Sequence, residues 1–102
     1  MPGAVLEHPW DGGHDAWKLG GKIFALVGAR GTHVSVKTDS PETAAMLIEA
    51  GLAARAPYLH RSWVAVPLGA AEDELAHRVR VSWRLIRAGL PKRLQAGLPE
   101  AP

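Results

Sequence analysis

Cysteine is absent from the 102 residues, which removes disulfide scaffolds, thiolate metal centres, iron–sulfur clusters, zinc fingers and cysteine nucleophiles together. Aromatics other than tryptophan are scarce, with one Phe and one Tyr beside four Trp. No apolar run approaches the roughly 18 residues that a membrane span requires. The opening Met1-Pro2-Gly3-Ala4 has no basic stretch leading into an apolar one, as a secretory leader would. The default expectation is therefore a cytoplasmic protein. A chain of this size buries roughly two-thirds of its unfolded surface, so one domain over residues 1–102 can hold itself together without a metal.

Catalytic constellations are also missing. No nucleophile stands beside a base, and the carboxylates are scattered or gathered at helix starts. His8, His14, His33, His60 and His77 show neither the i, i+4 nor the short-loop spacing of metal ligands. The expectation is a non-enzymatic protein without cofactor or metal. Gly28-Ala29-Arg30-Gly31 fits the G-x-x-G that clamps nucleic-acid backbones, but it falls between strands and reads as a hairpin turn with Arg30 at its tip. Gly20-Gly21 is likewise a turn, because no helix follows to make it a phosphate loop.

Net charge is only +2, yet its distribution is uneven. Residues 1–74 carry six bases against nine acids, whereas residues 75–102 carry Arg78, Arg80, Arg84, Arg87, Lys92 and Arg93 against Glu100 alone. Arginine favours planar, bidentate contacts to phosphate or carboxylate. A solvated helix face is the plain alternative.

Periodicity supplies an α+β pattern. Residues 1–14 read as a loop-rich start. Ala16–Leu19 and Lys22–Val27 form a hairpin around Gly20-Gly21, and Thr32–Thr38 alternates Val34, Val36 and Thr38 against His33, Ser35 and Lys37. Ser40-Pro41-Glu42 is a helix start with cap, first-turn proline and acid, and Gly51 is its left-handed stop. Ala45, Leu47, Ile48 and Leu52 are its expected inner face. Residues 53–61 read as a loop, and Ser62–Leu68 as a strand that alternates Val64, Val66 and Leu68 against Trp63, Ala65 and Pro67. Glu72–Ala88 is a helix whose Leu75, Val79, Trp83 and Ile86, with Leu90 beyond, make one apolar stripe. Residues 95–102 read as a flexible tail.

Trp17 and Trp83 fit the core. Trp63 falls on the other face of its strand, beside Ser35 and Lys37. Two readings fit it: a platform on which a base or another flat ligand stacks, or a ring packed under the Pro57–Arg61 loop or a second helix layer.

The ordered set Pro9-Trp10, Trp17-Lys18-Leu19-Gly20-Gly21-Lys22-Ile23-Phe24-Ala25, Val34-Ser35-Val36-Lys37-Thr38-Asp39, Ala56-Pro57-Tyr58-Leu59, Trp63-Val64-Ala65-Val66, Ser82-Trp83-Arg84-Leu85 and Leu90-Pro91-Lys92-Arg93 resembles the MmcQ/YjbR family. The resemblance implies a frataxin-like (CyaY-like) α+β fold, an antiparallel β-sheet with helices packed on one face, and a double-wing DNA-binding architecture. By position it implicates Lys18, Lys22, Lys37, Tyr58, Arg61 and Trp63, to which the composition adds Arg80, Arg84 and Arg87. Only eight residues precede Pro9-Trp10, where members of the family carry a full helix, so either the start lies further upstream or the sheet is less covered on one side. Iron binding, which the frataxin-like fold brings to mind, needs an acidic ridge where this chain has a basic helix. The leading expectation is a DNA-binding module with DNA as partner. The alternative is a small-molecule or partner-protein binding domain that uses the sheet face around Trp63.

Overall fold

The computed structural model describes residues 1–8, 13–28, 30–57 and 59–100. Alternation and glycine placement lay down the first hairpin, β2 (Asp15–Leu19) and β3 (Lys22–Val27). Gly20 and Gly21 have φ of +57° and +83°. Two consecutive positive φ values match the right-handed twist of the strands they join. Beyond the hairpin come β4 (His33–Lys37), α1 (Pro41–Glu49), β5 (Ala54–Arg55), β6 (Trp63–Pro67), α2 (Glu72–Ala88) and α3 (Lys92–Ala96). Ahead of it lies β1 (Val5–Glu7). The six strands form one sheet in the order β1-β2-β3-β4-β6-β5, every neighbouring pair antiparallel.

The buried face of this sheet follows from the register. Trp17, Ala25, Val36 and Val64 stand in line across four strands. Val34, Val36, Val64 and Val66 join Ala44 and Leu47 of α1 and Trp83 and Ile86 of α2 in one apolar cluster. Both long helices therefore pack on the same face. Trp83 is its largest fully buried side chain, and its indole N–H donates to the Pro2 carbonyl at 2.9 Å.

Ser40 caps α1 as its sequence position predicts, its hydroxyl accepting from the Thr43 N–H at 3.1 Å. Replacing Ser40 with Ala should cost about 1 kcal/mol, read as a lower urea midpoint at unchanged slope. At the hairpin, a Cβ on Gly20 would stand 2.7 Å from Leu90 Cδ1, whereas one on Gly21 meets nothing within 4 Å. Left-handed backbone costs an L-residue roughly 1–2 kcal/mol. Gly21→Ala should lose about that much in denaturant titration, and Gly20→Ala measurably more because Leu90 must also move.

Several expectations are corrected. The loop-rich start contains β1, three exposed residues whose pairing comes from the open edge of β2 and not from any alternation of their own. The loop at 53–61 contains β5, too short at two residues to show a period. On α1 the buried residues are Ala44 and Leu47, while Leu52 is exposed. Ala45 sits one residue off that face and is also exposed. The first two residues of the tail end α3, and the Arg87 guanidinium holds the tail through the carbonyls of Gln95 (3.0 Å) and Pro99 (2.7 Å). No helix among the described residues is long and apolar enough to cross a membrane.

Candidate nucleic-acid interface

The second face of the sheet is built by the residues that alternate with the core. Across it Ala16, Leu26, Ser35, Ala65 and Ala54 lie in register over five strands. Four of these five side chains are alanine or serine and the fifth is Leu26, and they make a shallow floor that neither α1 nor α2 covers, in which Ala16 and Ala65 are buried. Two residue pairs along, on the same face, Lys37 of β4 stands directly opposite Trp63 of β6. Directly opposed cross-strand side chains lie within about 5 Å at Cβ, so an ammonium group and an indole share one patch. Both residues are half-buried.

On the other side of the floor is a groove of about 340 Å³, lined by Arg30 and Gly31 of the β3–β4 turn, by His33 and Ser35, and by Ala65 and Arg55. Arg55 is aimed by its own neighbourhood, its guanidinium donating to the Ala56 carbonyl at 3.0 Å and reaching the Leu59 carbonyl at 3.4 Å. Among the described residues no carboxylate pairs with Arg30, Lys37, Arg55 or Arg61. These four cations therefore have no internal counter-ion among the described residues.

The backbone around Trp63 is fixed from both sides. Its N–H donates to the His60 carbonyl at 2.8 Å. The Ser62 carbonyl accepts from the Thr38 N–H at 2.8 Å and from the buried Thr38 hydroxyl at 2.6 Å. His60 Nδ1 accepts from the Ser62 N–H at 3.1 Å. Lys37 is positioned from beneath: its N–H donates to Ser82 Oγ at 2.9 Å, and the Ser82 hydroxyl donates to the Phe24 carbonyl at 2.6 Å. Since Ala25 pairs with Val36, the next ladder position is Phe24 with Lys37. A side chain from α2 completes the sheet there.

The residues implicated by sequence divide among several places. Lys37 and Trp63 come together, with Arg61 exposed in the turn that enters β6. Lys18 shares the uncovered face but is engaged with Glu7 at 3.3 Å. Lys22 is exposed at the start of β3. Arg80 and Arg84 are exposed on α2, which packs on the opposite face, so a molecule lying over Trp63 does not reach them. Arg87 is spent on the C-terminal carbonyls. Tyr58 lies outside the described residues, as do Pro9 and Trp10. Arg55 was not visible in the sequence as a site residue, because nothing in residues 53–61 signals that an edge strand turns it onto this groove.

A six-stranded antiparallel sheet with helices on one face and a cationic, aromatic second face defines an α+β protein of the kind the ordered motifs imply. The sequence model of the YjbR family matches residues 1–85, and the chain belongs to the YjbR family. It is similar to the crystal structure of Deinococcus radiodurans protein DR2400, which carries a DUF419 domain, at 25% identity and a TM-score of 0.85, over 100% of this chain and 83% of that one. No curated protein matches the sequence.

Proposed function

We propose that this protein binds DNA, without catalysing a reaction, through the uncovered face of its sheet. The observation that carries the reading is the Lys37–Trp63 pair: a cation and an indole directly opposed on a face that neither long helix covers, next to a groove bordered by Arg30 and Arg55. An aromatic that offers part of its face to solvent stacks on any base, and unpaired guanidinium and ammonium groups neutralise phosphates. A strand laid over the floor of small side chains would meet Trp63 with a base while Lys37, Arg30 and Arg55 meet its backbone. Stacking needs a free base face, so unpaired DNA is preferred to duplex. With so few cations, affinity is modest, roughly 10⁻⁴ to 10⁻⁶ M near physiological salt.

On this reading the cations of the two faces contribute differently. Each phosphate contact to a single strand adds about 0.7 to the slope of log K against log salt. The double variant Arg30→Ala/Lys37→Ala should flatten that slope by roughly 1.4, whereas Arg80→Ala/Arg84→Ala should leave it unchanged. Fluorescence anisotropy of a labelled single strand over a salt series makes the comparison. The reverse order of effects would move the contacts to α2.

A further inference from the structure

The groove beside the Lys37–Trp63 pair holds more hydrogen-bond donors than a strand backbone alone can use. Its volume of about 340 Å³ falls within the range of small-ligand sites, which begins at roughly 300 Å³. Arg30 enters it from the β3–β4 turn and Arg55 from the edge strand β5, with Thr32, His33 and Ser35 also in its lining. No carboxylate lines it. Arg55 is oriented by the loop that follows it: Nη1 donates to the Ala56 carbonyl at 3.0 Å, and Nη1 and Nη2 both reach the Leu59 carbonyl at 3.4 Å. Those contacts occupy three of the five guanidinium N–H bonds, leaving the Nε–H and the outer Nη2–H. That parallel pair is the fork with which arginine grips two oxygens of one phosphate. Thr32 Oγ1 and His33 Nδ1 lie 2.9 Å apart, so the two side chains steady each other while the imidazole Nε2 has no partner among the described residues.

We propose that the groove binds a phosphate monoester, the group carried by the end of a DNA strand or by a free nucleotide. The inference deepens the DNA reading and rests on it for the strand. Donor number sets the class. A phosphate inside a strand has two free oxygens and a single charge, whereas a monoester has three acceptor oxygens and about −1.5 to −2 charge at pH 7. Two guanidinium groups, two hydroxyls and an imidazole exceed what the first can accept and suit the second. Position sets the rest of the ligand. Ser35 and Ala65, which line the groove, lie two residues along their strands from Lys37 and Trp63, about 7 Å at the rise of an antiparallel sheet. One nucleotide spans that gap, its base stacked on Trp63 and its own phosphate in the groove.

Anisotropy of one internally labelled single strand, prepared with a 5′-phosphate, with a 3′-phosphate and with hydroxyls at both ends, reads the preference at about 50 mM salt. At least one phosphorylated form should bind about tenfold more tightly than the hydroxyl form, the gain that charge-assisted hydrogen bonds supply. Arg55→Lys should remove most of that ratio although it keeps the charge, because an ammonium group has no fork. Arg30→Ala should lower the ratio too. Arg30 is exposed in a turn, so this variant keeps the test available should Arg55→Lys disturb the loop at Ala56 and Leu59. Deoxyadenylate, with deoxyadenosine as its phosphate-free control, tests the free source: only the former should shift the His33 and Ser35 amide resonances saturably, and Arg30→Ala should weaken the response. Strands that bind equally beside such a shift would assign the groove to a free nucleotide and leave the DNA reading standing. The same shift with no strand bound would uphold the groove and remove DNA as the partner. Absence of both the end preference and the deoxyadenylate shift would overturn the proposal, whether or not strands bind.

Discussion

Ser82→Ala should destabilise the protein by about 2–4 kcal/mol, far more than the loss of one exposed hydroxyl. Ser82 is completely buried and belongs to a helix, yet it occupies a position in the sheet ladder, accepting from Lys37 N–H at 2.9 Å and donating to the Phe24 carbonyl at 2.6 Å. Removing the oxygen leaves a donor and an acceptor facing each other across a gap that a methyl group keeps open. Each buried polar group without a partner costs about 1–3 kcal/mol. For a domain of this length the melting temperature should fall by roughly 10–25 °C. Ser40→Ala, which removes a hydroxyl from a helix end, is the comparison, and the Ser82 variant should be at least about twice as damaging. A loss below about 1 kcal/mol would mean that β3 and β4 close directly on one another when the hydroxyl is gone. Because Lys37 N–H is one end of the bridge, the variant should also loosen Lys37 under the uncovered face. Salt dependence of DNA binding, measured at a temperature where the variant is still folded, should weaken with it.

Trp63→Ala should abolish most DNA affinity and leave the protein folded, at a stability cost set by the part of the ring that packs against the core. Base stacking on an aromatic contributes about 1–3 kcal/mol per base, so binding should weaken roughly 5- to 150-fold. Trp63 is half-buried, and the residues that hold its backbone, Thr38, His60 and Ser62, bond through main-chain atoms of residues 62 and 63 and through the Ser62 hydroxyl. None of those bonds uses the indole. The melting temperature should accordingly move much less than in Trp83→Ala, where a fully buried ring is removed. Trp63→Phe should keep part of the affinity, because a smaller ring still stacks. Equal affinity in the wild-type and Trp63→Ala proteins, measured by anisotropy on one labelled single strand, would detach the indole from the function.

Much of this architecture was legible because strong local signals agreed with the final packing. α2 spans Glu72–Ala88 as its stripe of Leu75, Val79, Trp83 and Ile86 predicts, and the Gly20-Gly21 turn and the Ser40 cap fall where glycine and serine chemistry put them. Alternation in β4 and β6 placed Trp63 opposite Val64 and Val66 and beside Lys37, which is half of the candidate site. The other half was not legible. β1 and β5 are edge strands of three and two residues, whose pairing is dictated by the neighbouring strand and not by their own sequence, and β5 is what brings Arg55 to the groove. Composition likewise gathered Arg80, Arg84 and Arg87 into one basic surface. Three-dimensional placement sets Arg80 and Arg84 on the far side of the molecule and commits Arg87 to the C-terminal carbonyls. Ser82 gave no signal at all, since a serine inside a helix reads as neutral until the sheet beneath it is known.

The central claim is that the uncovered face reads phosphates and bases together. Anisotropy titrations of a labelled single strand and the matching duplex, at about 50 and 200 mM salt, test it most directly. Tighter binding to the single strand, with affinity that falls steeply between the two salt concentrations, is the expected result. Absence of binding to either form at the lower salt would contradict the account, and would leave the Lys37–Trp63 face without DNA as its partner.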